Sequence, residues 1–284
     1  MENIFDIQNL GKRFKSFQLQ GLSFSLPRGY IMGLIGPNGS GKTTTLKLMM
    51  NLMHKDTGEI AVFGQDHVKF EREIKQRVGI VYDEPVFYEQ LSMRRMTGLI
   101  RPFYTRWNQA QYEGYLKRFD LDETQKIKTL SKGMRAKYAL ALALSHGAEL
   151  LIMDEPTSGL DPVFRREMLD LLLEVMQREE NSILFSTHIT SDLDRVADYI
   201  TFLDRGKLVF SQEKDSLYEQ YRLVKGAPEQ LTESLRRELL GVNVGEHGFE
   251  DLGGLDIRGE GLLMEKPTIE DIMFYLTREN GHGR

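Results

Sequence analysis

The stretch GLIGPNGSGKTTTLKLMM (residues 33 to 50) begins as a short apolar run, passes through a glycine-rich turn and ends in helical composition. Its spacing is G-x-x-x-x-G-K-T, with Gly36, Gly41, Lys42 and Thr43 at the fixed positions of a phosphate-binding loop. Glycines let successive backbone N–H groups turn inward toward an anion, and the helix that follows adds its positive end. The segment from Gly36 through Pro37, Asn38, Gly39, Ser40 and Gly41 would form the cradle, with Thr44 just behind it. Lys42 would reach the terminal phosphates, and Thr43 would offer a hydroxyl to Mg²⁺, which takes few protein ligands beside phosphate oxygens and waters. A flexible turn that happens to contain a lysine is the bland alternative, and it leaves the flanking strand and helix unexplained.

Working outward, RGYIMGLIG (28 to 36) reads as a buried strand and Ser40 to Leu52 as the helix it feeds. TGEIAVFGQD (57 to 66) alternates between glycines, which suits a strand followed by a turn, and RVGIVYDEP (77 to 85) is a further strand that stops before Pro85. From about 88 to 147 the segments turn longer, more polar and helical in spacing, which marks a helical insertion. LLIMDEP (150 to 156) returns to the continuous apolar run of a strand buried on both faces. Asp161-Pro162 then supplies an N-cap with proline at the first helical position, and the helix is expected to run to about Glu180. NSILFSTHI (181 to 189) is a strand, SDLDRVAD (191 to 198) a helix, and YITFLDRGKLVFSQ (199 to 212) a hairpin about Arg205-Gly206. A core domain, 1–214, would close near Lys214. Residues 215–284 then form a small C-terminal appendage, Gly-rich and acidic over 241 to 261, ending in a helix that Thr268 caps with Asp271 three residues on.

The chain has 284 residues, enough for a full α/β core. It contains no cysteine, so disulfides and thiolate metal sites are excluded, in keeping with a reducing compartment. No export signal is visible in MENIFDIQNLGKRF, and the most apolar stretches fall well short of the roughly 18 residues that span a bilayer. Its 37 basic and 42 acidic residues are dispersed without a basic stripe, which disfavours nucleic acid as a partner.

A second candidate site stands at the end of LLIMDEP. An acidic pair at the tip of a buried strand is costly unless it has work there. Asp154 suits an outer-sphere partner of Mg²⁺, and Glu155 suits a general base that aligns the attacking water. With both sites in view, the chain resembles the ATP-binding cassette family, whose motifs occur here in the family's order from residue 14 to 188. The resemblance implies an α/β architecture: a P-loop NTPase core with a parallel sheet, an antiparallel β subdomain, the helical insertion and the C-terminal appendage. It places Phe14 of KRFKSF (12 to 17) where the family stacks an aromatic on adenine, with Phe17 in reserve. In TLSKGMRAKYALALAL (129 to 144) it places Ser131 and Gly133 where the γ-phosphate held by the opposite subunit would bind. SGLD puts Asp161 at the contact between subunits, and STHI puts His188 at the γ-phosphate.

Two motifs depart from the family's pattern, at three residues. Where the signature is usually LSGGQ, this chain reads Leu130-Ser131-Lys132-Gly133-Met134. Where the family has Gln at the loop that links the Mg²⁺ site to the helical insertion, this chain has Asp83. That carboxylate would still reach the metal, at the cost of added negative charge beside the γ-phosphate; otherwise Asp83 faces solvent and Gln76 or another group takes the role.

The resemblance implies the ATPase subunit of an exporter at the cytoplasmic face of the membrane, with two Mg-ATP at a head-to-tail dimer interface. The second ATPase subunit would be an identical copy or a related paralogue, and a separate transmembrane permease would dock near Asp83 and residues 88 to 110. The tail resembles that of bacterial two-gene exporters of drugs or antimicrobial peptides. A soluble cassette protein of repair or translation is the rival reading, but it would usually fuse two cassettes or carry long coiled coils. The guanine-reading N-K-x-D of a GTPase is missing, since MHKD (53 to 56) lacks the Asn.

Overall fold

The computed structural model describes residues 2–83, 86–177, 180–241, 243–245, 248–257, 259 and 261–281. The chain divides into two units, Met1–Leu208 and Val209–Arg284. The expected boundary near Lys214 falls just inside the second.

The first unit opens with β1 (Asn3–Arg13) and β2 (Gln18–Pro27), then runs through β3 (Ile31–Ile35), α1 (Lys42–Met49), β4 (Thr57–Val62), β5 (Gln65–Asp66), α2 (Glu71–Arg77) and β6 (Val78–Val81). Between β6 and β7 (Leu150–Asp154) come α3 (Met93–Ile100), α4 (Gln109–Arg118) and α5 (Lys132–Leu144), and after it α6 (Pro162–Val175), β8 (Ser182–Thr187), α7 (Thr190–Val196) and β9 (Tyr199–Asp204). Strands β9, β3, β8, β7 and β6 lie side by side in that order and all parallel. Every residue of β3, β7 and β8 is buried, which explains their unbroken apolar runs: helices cover both faces. Strands β2, β1, β4 and β5 form a separate antiparallel sheet, and its apolar positions, among them Ile4, Phe5, Ile7, Leu22 and Ile60, join the same core as Met32, Leu34 and Leu150. At about 1.5–3 kcal/mol for each fully buried aliphatic or Phe side chain, this shared core is what ties the two sheets together.

Helix limits follow local chemistry. Asp161 caps α6 by accepting N–H bonds from Val163 (3.1 Å) and Phe164 (3.0 Å), with Pro162 at the first position as expected. The helix ends at Val175, five residues short of the expected Glu180. Strand 57–66 is interrupted where Phe63 and Gly64 take left-handed φ angles of 54° and 71°, which turns the chain back into β5. Pro85 lies outside the described residues.

In the second unit, after β10 (Lys207–Glu213), which begins in the first, come α8 (Lys214–Gln220), β11 (Tyr221–Gly226), α9 (Glu233–Glu238), β12 (Asn243–Gly245), β13 (Gly248–Gly254), β14 (Leu263–Glu265) and α10 (Ile269–Gly281). The sheet order is β12-β13-β11-β14, antiparallel throughout, around a small core of Val224, Leu235, Leu239, Phe249 and Ile257. Two of its four strands, β12 and β13, arise from the Gly-rich acidic stretch in which the sequence pattern marks no strands. The expected cap of the last helix is present: Thr268 N–H donates to Asp271 (2.8 Å) and Asp271 N–H to the Thr268 hydroxyl (3.1 Å).

His146, just past α5, is buried and stacks on Tyr104 with ring centroids 3.9 Å apart. Burial pushes its pKa down to about 4. The unfolded chain takes up this proton near 6.5 and the folded one only near 4, so stability contributed by neutral His146 is complete above 6.5 and declines toward pH 4. Thermal unfolding of the wild type should therefore lose up to about 3 kcal/mol over that window relative to His146→Phe, which keeps the ring but cannot titrate. Parallel pH profiles for the two proteins would refute this.

Candidate functional site

Parallel strands that end at one level place their following residues together, and the carboxyl ends of β3, β8 and β7 do this. In register, Leu34 of β3 faces Ser186 of β8, and Ser186 faces Asp154 of β7. The glycine-rich loop leaves β3, Glu155 follows β7, and His188 follows β8.

The loop requires its glycines. A Cβ on Gly36 would lie 2.2 Å from the Leu203 carbonyl oxygen, and Gly41 has φ 110° with Leu19 in the way of any side chain. Ser40 N–H donates to the Pro37 carbonyl (3.1 Å) and Gly206 N–H to the Ser40 carbonyl (3.0 Å), which fixes the turn. The Ser40 hydroxyl is buried without a hydrogen-bond partner, a polar atom suited to an anion's oxygen. Pro37, Asn38 and Gly39 form the exposed crest of the loop.

Lys42, 6% exposed, donates to the Gly36 carbonyl (2.7 Å), and its ammonium lies 3.5 Å from Glu155 Oε1. Thr43 Oγ1 donates to Asp154 Oδ1 (3.1 Å), and Ser186 Oγ donates to the same oxygen (2.6 Å). Glu155 takes a left-handed φ of 47°, unusual outside glycine, and its N–H donates to Ser186 Oγ (3.0 Å). Its other carboxylate oxygen lies 2.7 Å from His188 Nδ1, so a proton on Nδ1 is donated to the carboxylate. Lys42, Thr43, Asp154, Glu155 and His188 thus form one cluster, with Ser186 as its hub. The sequence reading passes over Ser186; its signal is a serine at the end of an apolar strand, within the STHI motif itself. Thr44 stands beside the cluster on the first turn of α1, partly buried.

Phe14 is about one-third exposed and its ring centroid is 6.1 Å from Phe17, which packs against the core. Phe14 therefore presents the freer face, with Phe17 as its support.

Ser131, Gly133 and Asp161 form a second group. Ser131 caps α5 by accepting the Met134 N–H (3.2 Å), and a Cβ on Gly133 would touch Phe164 (3.6 Å) and Leu160 (3.9 Å), beside Asp161. Among the described residues, no hydrogen bond or ion pair links this group to Gly36–Thr44, Asp154, Glu155 or His188. Asp83 accepts a 2.8 Å bond from Lys132, which ties the loop after β6 to α5, while its neighbour Tyr82 lines a cleft with Thr43 and Asp154. Gln76 is engaged by Phe103 and Thr105.

A hydroxyl and a carboxylate 3.1 Å apart are oxygen donors of the kind Mg²⁺ takes, and among the described residues no cluster of three His, Cys, Asp or Glu suits a metal. An ion here would share few protein ligands and complete its shell from phosphate and water, so the residues fit Mg²⁺ brought in with a nucleotide.

Residues 19–158 match the model of the ABC transporter family. The chain is similar to the bacitracin transport ATP-binding protein BcrA of Bacillus licheniformis, at 32% identity over 78% of this chain and 74% of that one. It is similar also to the lantibiotic transport ATP-binding protein SrtF of Streptococcus pyogenes, at 32% identity over 74% and 90%. A solved ATP-binding subunit of an ABC transporter superimposes with a TM-score of 0.69 at 27% identity, covering 75% of this chain and 91% of that one.

Ser186→Ala would leave Asp154 with one hydroxyl fewer and Glu155 N–H without its side-chain acceptor. The expected cost is about 1–3 kcal/mol in chemical unfolding. An unchanged unfolding midpoint would show that Asp154 is satisfied without it.

Proposed function

The chain belongs to the ABC transporter family as an ATP-binding, ATP-hydrolysing subunit, and from that premise we propose that it works as half of a head-to-tail pair, with two Mg-ATP at the interface, driving a separate membrane permease. The observation that carries the pairing is that, among the described residues, the Lys42–Asp154–Glu155–His188 cluster makes no hydrogen bond or ion pair with the Ser131–Gly133–Asp161 group. A second copy or a related ATPase would bring its own signature turn to this copy's phosphates.

In this reading the loop N–H groups and Lys42 hold the β- and γ-phosphates, and Phe14 stacks on adenine. Thr43 and Asp154 would hold Mg²⁺, whose charge offsets that of the phosphates. Glu155 accepts a proton from the attacking water while that water's oxygen bonds to the γ-phosphorus; the bond to the bridging oxygen breaks, and ADP leaves with the electron pair. His188, bonded to the other oxygen of Glu155, orients the carboxylate. Among the described residues, no helix is long and apolar enough to cross a membrane, so a permease would be another chain and this subunit would act at its cytoplasmic face. The transport names of the two relatives, bacitracin and lantibiotic, support a peptide antibiotic as cargo and, with the tail's likeness to two-gene exporters, support export. The proposed domains are a nucleotide-binding domain, 1–214, with its helical insertion, and the appendage 215–284.

Glu155→Gln should keep ATP binding and lower turnover by about 10²–10⁴-fold. With saturating Mg-ATP it should elute as a dimer in size-exclusion chromatography; a monomer under those conditions would refute the pairing, and normal turnover would refute Glu155 as base. A chain ending at Lys214 should still bind ATP, since every proposed nucleotide contact precedes it. Loss of binding in a folded truncation, checked by circular dichroism, would move the boundary.

A further inference from the structure

Two of the three residues that depart from the family's pattern, Asp83 and Lys132, meet. Lys132 Nζ donates to Asp83 Oδ1 at 2.8 Å across 49 residues of sequence. Arg135, next along the same face of α5, donates to Glu89 at 3.2 Å. These four groups line one open cavity of about 620 Å³ between the loop after β6 and the start of α5. The backbone runs alongside: Lys128 N–H donates to the Glu89 carbonyl (3.0 Å) and Ile127 N–H to that of Leu91 (2.9 Å).

Lys132 also lies over Gly159. A Cβ placed there would be 3.4 Å from its Nζ and 3.6 Å from its Cδ. Gly159 belongs to the turn that starts at Glu155 and ends at the α6 cap, and the neighbouring Gly133 rests beside Leu160 and Phe164. One lysine side chain therefore touches three segments: the loop after β6, the entry to α5 and the turn that follows Glu155. Lys132 and Asp83 neutralise each other's charge.

We propose that Lys132, through its pair with Asp83, is a positioning residue for ATP hydrolysis: the pair locks the signature turn and the Gly159 turn to the loop after β6, and turnover requires the pair rather than either charge. The proposal rests on the ATPase reading above. Both partners are close to half exposed, at 40% for Asp83 and 48% for Lys132, so the pair contributes little to global stability and is screened by salt. A small bias is still enough to shift a loop between two arrangements.

Steady-state ATPase assays of the full chain test this with Lys132→Ala, Asp83→Ala, the double variant, and the charge swap Asp83→Lys with Lys132→Asp. Each single variant should lower kcat about 2- to 5-fold with KM for Mg-ATP within about twofold, and the double variant should be no worse than the poorer single. The swap should regain at least about half of the lost rate. Losses that multiply in the double variant, a swap no better than the double, or an effect confined to KM would overturn the proposal. Wild-type protein without ATPase activity would overturn the function reading instead. The clamp is then decided by hydrogen exchange of the Lys128 amide, which should speed up equally in both single variants; unchanged exchange would overturn it.

Discussion

Asp154 is a carboxylate 8% exposed at the end of a strand whose other residues are all apolar and buried, and such a group must find donors or destabilise the fold. It finds them in Thr43 and Ser186, which reach one oxygen from the first turn of α1 and the end of β8. That is feasible only while β3, β8 and β7 keep their register, because a slip of one residue would turn Ser186 to the opposite face of the sheet. The same register sets Lys42 and His188 on either side of Glu155. Satisfying one buried charge and assembling a phosphate site are therefore the same geometric requirement.

The loop after β7 is held on its far side as well. Thr157 donates to Asp192 (2.6 Å), a buried carboxylate that also accepts from Arg165 (2.7 Å), so the loop is tied to both α6 and α7. A similar device anchors the start of the sheet. Glu149 takes a two-pronged bond from Arg77 (2.8 and 2.7 Å) and a third from Arg28, and these cations hold its pKa down to about 2. Arg77 in turn lies 3.7 Å over the ring of Phe63, in the turn between β4 and β5. Polar networks thus brace both ends of β7, and the apolar strand between them supplies the burial. With its flanks fixed, Glu155 can hold a left-handed backbone conformation that an isolated chain would rarely adopt.

What was legible in the sequence was local. The phosphate loop, the Asp154-Glu155 pair, the Asp161 cap and the Thr268–Asp271 box each depend on residues a few positions apart, so their spacing alone carries the physics. Strands β1 and β2 were expected only as an unplaced antiparallel subdomain, since their pairing is irregular: β1 carries register shifts at three points against β2, and no clean alternation survives. The sheet of the second unit was hidden for a related reason. Strands β12 and β13 are rich in glycine, and the order β12-β13-β11-β14 depends on pairings between distant segments. Ser186 and Asp83 failed differently. Each is visible as a residue, but its partner is chosen by the fold, and 32 residues separate Ser186 from Asp154.

The two groups of the site are apart in hydrogen bonding yet share one piece of chain. Glu155 begins the turn, Thr157 is pinned to Asp192, Gly159 lies under Lys132, and Asp161 closes the turn as the cap of α6. Gly133 rests against Leu160 and Phe164, on the same few residues. Any displacement of the α5 entry is therefore felt within a short segment whose other end carries Glu155, the proposed base. Because that segment is pinned in its middle and capped at its end, it has little freedom to absorb such a displacement by bending, and the strained residue at its start is the natural point of yield. A phosphate bound at the first group and a partner seated on the second would act on one stiff turn from opposite ends, which is the mechanical condition for hydrolysis to wait on assembly.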